Sequence, residues 1–167
     1  SEMCIRDSIQ GDFQCKDYFY VKEFVMPFIR VAGNMTIALN SGSVNTEAEI
    51  EFPNLLEIGG TLTLENNKNA NNITFPSLKK ILGSCSVTTS HLKNDIEFTN
   101  LESIGTDGAN AQIKFEIDGT NILCPKLKTI NGKFDITTST VIFDMEADQV
   151  SYPNVESISE NLSITCP

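Results

Sequence analysis

Apolar residues recur along this chain in short alternating runs and not at helical spacing. Ile50-x-Phe52 and Leu62-x-Leu64 each place every second side chain on one face, the period of a strand with one side turned inward. Both runs belong to a longer unit, apolar-x-aromatic-Pro-x-Leu-x-x-Ile-x-Gly-x-Leu-x-Leu, filled by Ile50, Phe52, Pro53, Leu55, Ile58, Gly60, Leu62 and Leu64. The unit returns as Ile73, Phe75, Pro76, Leu78, Ile81, Gly83, Cys85 and Val87. A third copy has Ile96, Phe98, Leu101 and Ile104, with Thr99 at the proline position and an insertion over 106–110 before Ile113 and Phe115. Ile122, Cys124, Pro125, Leu127, Ile130, Gly132, Phe134 and Ile136 form a fourth, and Val150, Tyr152, Pro153, Val155, Ile158, Leu162 and Ile164 a fifth. A degenerate earlier copy supplies Val25, Phe28, Val31, Gly33, Met35 and Ile37.

The markers Val31, Ile58, Ile81, Ile104, Ile130 and Ile158 lie 27, 23, 23, 26 and 28 residues apart, which makes six coils. Two short strands and a Leu-x-x-Ile corner cannot bury an apolar face alone, so successive coils must stack. The predicted fold is therefore all-β, a right-handed β-solenoid of about six coils, roughly 29 Å tall at about 4.8 Å per coil. Proline ends the strand before each corner because it has no N–H for the ladder. Phe52, Phe75, Phe98 and Tyr152 share one inward position and form a core column. The polar turns align at Asn40, Asn67, Ser90 and Ser139, whose side chains can bond the backbone of the next coil.

The segment 17–25 begins on Asp17, an N-cap type of residue, and places Val21 and Phe24 with Tyr20 on one side. A short capping helix is predicted there. The first eight residues match no repeat and read as a translated sequencing adapter; the alternative is a short polar leader starting at Met3. The expected organisation is 1–8 extraneous, 9–27 an N-terminal cap, and 28–167 the repeats, which stop inside a strand and are expected to continue beyond the fragment.

The Phe-Pro-x-Leu-x-x-Ile-x-Gly units, preceded by Val31-Ala32-Gly33-Asn34-Met35-Thr36-Ile37, resemble the receptor L domain over residues 12–167. That family is the β-helical, leucine-rich-repeat-like ligand-binding module of insulin- and epidermal-growth-factor-type receptors. The chain is equally similar to the related repeats of fungal wall and bacterial surface proteins. The resemblance implies an extracellular or cell-surface location and a non-catalytic, receptor-like or adhesin-like module for a protein or glycan ligand. Fold does not dictate function, so a structural wall or matrix spacer is the second reading and a glycan-degrading β-helix enzyme the third. Receptor-type L domains close their ends with disulfides. Here Cys85 takes the Leu62 position and Cys124 the Phe52 position, both pointing into the core, and Cys15 and Cys166 lie near opposite ends of the stack. This departure favours the microbial branch.

Composition removes several alternatives. The chain is 40% hydrophobic and 20% charged, outside the range of a disordered solvating segment. Its net charge of −10, with Lys and Arg scattered along the sequence, argues against a nucleic-acid or anionic-membrane partner. No apolar run approaches the ~20 residues of a membrane helix.

Candidate chemistry is sparse. His91, the single histidine, lies in a polar turn with no aligned serine or cysteine, and no His or Cys pair has ligand spacing. No catalytic residue, cofactor or metal is therefore expected. Two acidic runs, Glu47-x-Glu49-x-Glu51 and Asp144-x-Glu146-x-Asp148, would each place three carboxylates on one strand face. Such faces could build a Ca²⁺ site or a glycan-cleaving pair. The favoured reading is a charged outer face that discourages edge pairing, since the runs fall in different coils without a calcium-type turn. Asn34, Asn72 and Asn161 head glycosylation sequons. Tyr18, Tyr20, Phe115 and Phe143, with Asp107 and Asn110 of the insertion, are the candidate ligand face, because insertions commonly project from a solenoid's binding side.

Overall fold

Among the described residues the first five coils carry three strands each, one more than the repeat predicts, and the last two show two each. The computed structural model describes residues 8–16, 23–38, 48–67, 70–90, 96–106, 111–118, 122–138, 157–158 and 162–165. The first coil holds β1 (Ser8–Ile9), β2 (Phe13–Lys16) and β3 (Glu23–Val25), and the second β4 (Arg30–Val31), β5 (Met35–Ala38) and β6 (Ala48–Glu51). The third holds β7 (Glu57–Ile58), β8 (Leu62–Glu65) and β9 (Ala70–Thr74), and the fourth β10 (Lys80–Ile81), β11 (Cys85–Ser90) and β12 (Ile96–Glu97). Next come β13 (Ser103–Ile104), β14 (Ala111–Asp118) and β15 (Ile122–Leu123), then β16 (Thr129–Ile130), β17 (Gly132–Thr138), β18 (Ser157–Ile158) and β19 (Leu162–Thr165).

Among the described residues these strands form three sheets. Sheet A, order β1-β4-β7-β10-β13-β16-β18, and sheet B, order β19-β17-β14-β11-β8-β5-β2, have seven strands each; sheet C, order β15-β12-β9-β6-β3, has five. All pairings between coils are parallel, so the fold is a β-solenoid. Sheet A is built from the last two residues of each Leu-x-x-Ile corner, with Ile58, Ile81, Ile104 and Ile130 in register. Two residues are too few to show alternation in a sequence; the strand exists because neighbouring coils bond to it, as where the Gly59 N–H donates to the Val31 carbonyl at 2.8 Å.

Two expectations at the N-terminus change. Of the predicted capping helix, Glu23, Phe24 and Val25 are a strand, paired with Glu49, Ile50 and Glu51. Phe24 is half-buried while Glu23 and Val25 are exposed, the period of two that the helical reading overlooked; positions 17–22 lie outside the described residues. Ordered pairing also reaches back to Ser8, which stands opposite Arg30, and Phe13–Lys16 stands opposite Met35–Ala38. The stretch read as a cap therefore contributes a rung of its own.

The interior is the stacked repeat. Phe52, Phe75 and Phe98 are fully buried, with ring centroids 5.2 and 5.1 Å apart and planes within 5° and 10° of parallel. Cys85 and Cys124 are buried free thiols at the leucine and phenylalanine positions, as the repeat predicts, and Cys15 is buried in β2. The repeat glycine allows the coils to close up: a Cβ on Gly83 would stand 2.7 Å from the backbone of Gly60, and one on the adjoining Gly59 would stand 2.2 Å from the Ala32 carbonyl oxygen. Gly105, before the insertion, takes a φ of 81°, in the left-handed region that favours glycine.

Candidate functional site

The solenoid offers its outer faces for contact, and their chemistry follows from the register. On sheet B the outward residues line up as Gln14, Thr36, Thr63, Ser86 and Lys114 in one column. Glu65, Thr88 and Glu116 form a second column beside it. The face is thus a field of hydroxyls with mixed charge, on which Lys114 and Glu116 pair at 2.6 Å. The insertion leads into β14, the longest strand of this sheet.

Sheet C is different. Its outward residues include Glu23, Glu49, Glu51 and Glu97, and among the described residues none of its strands carries a cation. A groove of about 290 Å³ lies on this face, lined in part by Glu49, Glu51, Asn72, Thr74, Glu97 and Thr99. Glu49 and Glu51 share the outer face as their spacing predicts, with Glu47 and the run 144–148 outside the described residues. Edge protection does not explain them, however, because β6 is an interior strand paired with β3 on one side and β9 on the other. Among the described residues no group of three His, Cys, Asp or Glu side chains is placed to hold a metal ion.

Sheet A and the turn leading into it gather cations that are scattered in the sequence. Arg30, Lys79, Lys80, Lys126 and Lys128 all lie there, exposed, because residues one coil apart become neighbours. Arg30 reaches across one rung to Glu57 at 2.8 Å, a solvent-exposed pair of at most about 1 kcal/mol.

Ladders of polar side chains hold the corners. Asn67, fully buried, donates from Nδ2 to the Ile37 carbonyl of the preceding coil at 3.1 Å, the role its turn position predicts. A second ladder is not evident from the repeat: Asp12 Oδ1 accepts from the Asn34 N–H at 2.7 Å, Asn34 Oδ1 from the Thr61 N–H at 2.8 Å, and Ser84 Oγ from the Gln112 N–H at 3.0 Å. In a third, Ser77 and Asn100 donate to the carbonyls of Pro53 and Pro76, each at 2.6 Å. The signal is a small polar residue at one fixed place in most units, Asn34, Thr61 and Ser84 for the second ladder and Asn54, Ser77 and Asn100 for the third, with Lys133 and Lys126 at those places in the unit around Ile130.

Of the predicted ligand face, Phe115 is corrected. It is 1% exposed and stands in register with Val87 at an inward position of sheet B, so it is core. Its spacing two residues after Ile113 carries that alternation. Tyr18, Tyr20, Asp107, Asn110 and Phe143 lie outside the described residues, as do His91 and the sequon Asn161. Asn34 is exposed, and Asn72 lines the sheet C groove opposite Glu49 in register. Burial pushes the Cys124 thiol up to about 12 and, together with the nearby Cys124 charge, raises that of Cys85 as well. Neither is presented as a nucleophile. Comparison of the chain with protein-family models, with curated proteins and with solved structures gives no match.

Proposed function

We propose that this chain is a non-catalytic, extracellular recognition module of the receptor L-domain kind, which takes a protein or glycan ligand on the outer face of sheet B. The observation that carries the reading is the hydroxyl column Thr36, Thr63 and Ser86, flanked by Lys114, Glu65 and Glu116 on one sheet face. Closely spaced donors and acceptors without a deep cavity suit a polar polymer or a protein surface. The insertion that precedes β14 in the sequence keeps Asp107 and Asn110 as candidate contacts. The repeat's likeness to surface-protein modules supports the extracellular setting. The buried, protonated thiols favour binding over covalent chemistry.

A structural spacer is the second reading, favoured by the parallel main-chain ladder that joins all described coils and would join a further one in the same way. Binding of the whole chain to an array of glycans and surface proteins tests the first. Saturable binding that falls at least about tenfold in Thr63→Arg and Ser86→Arg, with sheet C substitutions neutral, is expected. Absence of saturable binding, or binding untouched by both arginines, overturns it, and end-to-end growth without a ligand would then favour the spacer.

A further inference from the structure

The acidic face of sheet C and the cationic edge of sheet A carry complementary columns at the same spacing. On sheet C, Glu51, Thr74 and Glu97 occupy successive rungs in register. At the edge of sheet A, Lys79, Glu102 and Lys128 also occupy successive rungs: the Glu102 N–H donates to the Lys79 carbonyl and the Lys128 N–H to the Glu102 carbonyl, each at 2.9 Å. Both outer pairs are therefore two rungs apart, about 9.6 Å along the stack. Glu51, Glu97, Lys79, Glu102 and Lys128 are exposed, and none of them makes an ion pair within the chain among the described residues.

We infer that copies of this chain associate side by side, the Lys79–Glu102–Lys128 column of one lying in the sheet C groove of the next. Each lysine then meets a carboxylate, Lys79 and Lys128 against Glu51 and Glu97, and the central Glu102 carboxylate accepts from the Thr74 hydroxyl. Because both columns are set by the same inter-strand repeat, one correct pair brings the other two into place. The groove gives the column room, and among the described residues no cation of the groove's own strands competes for the carboxylates. The two faces differ, so the contact is heterologous and builds chains or rings of molecules, not only closed pairs. It uses neither the outer face of sheet B nor the open ends of the sheets. Its failure is thus separable from that of the recognition reading and from end-to-end growth.

Sedimentation velocity of the full chain tests this. The chain is produced in a bacterial host so that the Asn72-Ile73-Thr74 sequon in the groove bears no sugar. Association is expected at low salt and should weaken by at least about tenfold as salt screens the pairs. It should be lost in Lys79→Glu/Lys128→Glu and separately in Glu51→Lys/Glu97→Lys. Mixing those two variants should restore it, with circular dichroism checking that each retains its fold. A chain that stays monomeric at every salt concentration overturns the inference. So does association that survives both variants, or a monomer whose groove takes up a lysine-rich peptide, which would make the natural occupant a foreign cationic segment.

Discussion

Replacing Phe75 by alanine removes the middle ring of the aromatic column and should be among the most damaging single changes in the chain. The ring is fully buried and stacked on Phe52 at 5.2 Å and on Phe98 at 5.1 Å. Deleting a buried phenyl group costs about 3–5 kcal/mol, cavity included. Loss of two ring contacts of about 0.5–1.5 kcal/mol each places this site in the upper part of that range. Collapse around the hole is resisted because the flanking main chain is tied to both neighbouring coils: the Phe75 N–H donates to the Glu97 carbonyl and the Phe52 N–H to the Thr74 carbonyl. Urea unfolding followed by far-ultraviolet circular dichroism reads the effect. With a slope of about 2 kcal/mol per molar urea, a loss of 4 kcal/mol lowers the midpoint by about 2 M. Phe75→Leu should recover more than half of it. Leu56→Ala is the control, since Leu56 is 42% exposed and its truncation should cost under about 1 kcal/mol. If Phe75→Ala shifted the midpoint no further than Leu56→Ala, the stacked interior described here would be wrong.

Other consequences are more local. Gly59→Ala sets a methyl 2.2 Å from the Ala32 carbonyl oxygen and should cost about 1–3 kcal/mol by forcing two coils apart; thermal unfolding that leaves it as stable as the parent would contradict the close approach. Asn67→Ala strips the Ile37 carbonyl of a buried donor and should cost about 1–3 kcal/mol, with faster amide exchange in β5 and β8 as its local signature. The thiols make stability fall at alkaline pH. Their folded values lie above the ordinary value of 9.0, so their contribution is complete below that pH and is lost as pH rises through the folded values, up to about 1.4 kcal/mol per pH unit for each thiol. Cys124→Ala should flatten the slope of stability between about pH 9 and pH 12, and an unchanged slope would place the thiol in water.

Much of the interior was legible in the chain because burial in a solenoid depends on short-range periodicity. Phe52, Phe75 and Phe98 fall at one place in a repeat of 23 residues, and the structure stacks them. Cys85 stands where Leu62 stands, and Asn67 holds the turn position that bonds the coil below. Phe115 belongs to the same logic: its spacing after Ile113 puts it at the inward place of Val87, and the ligand-face reading gave the neighbouring insertion more weight than that alternation. Glu23–Val25 was misread for a related reason, since three residues can be fitted to a helical face as readily as to a strand.

What the amino-acid sequence determined by itself was which side chains turn inward and how many residues make a coil, because both follow from spacing along the chain. The tertiary structure alone decided what becomes adjacent outside. Stacking places residues more than 20 positions apart at neighbouring rungs, so Glu51 comes two rungs from Glu97, and lysines scattered in the sequence form one edge. Sheet A has the same origin, since a two-residue strand is defined by the coils that bond to it and not by any pattern of its own.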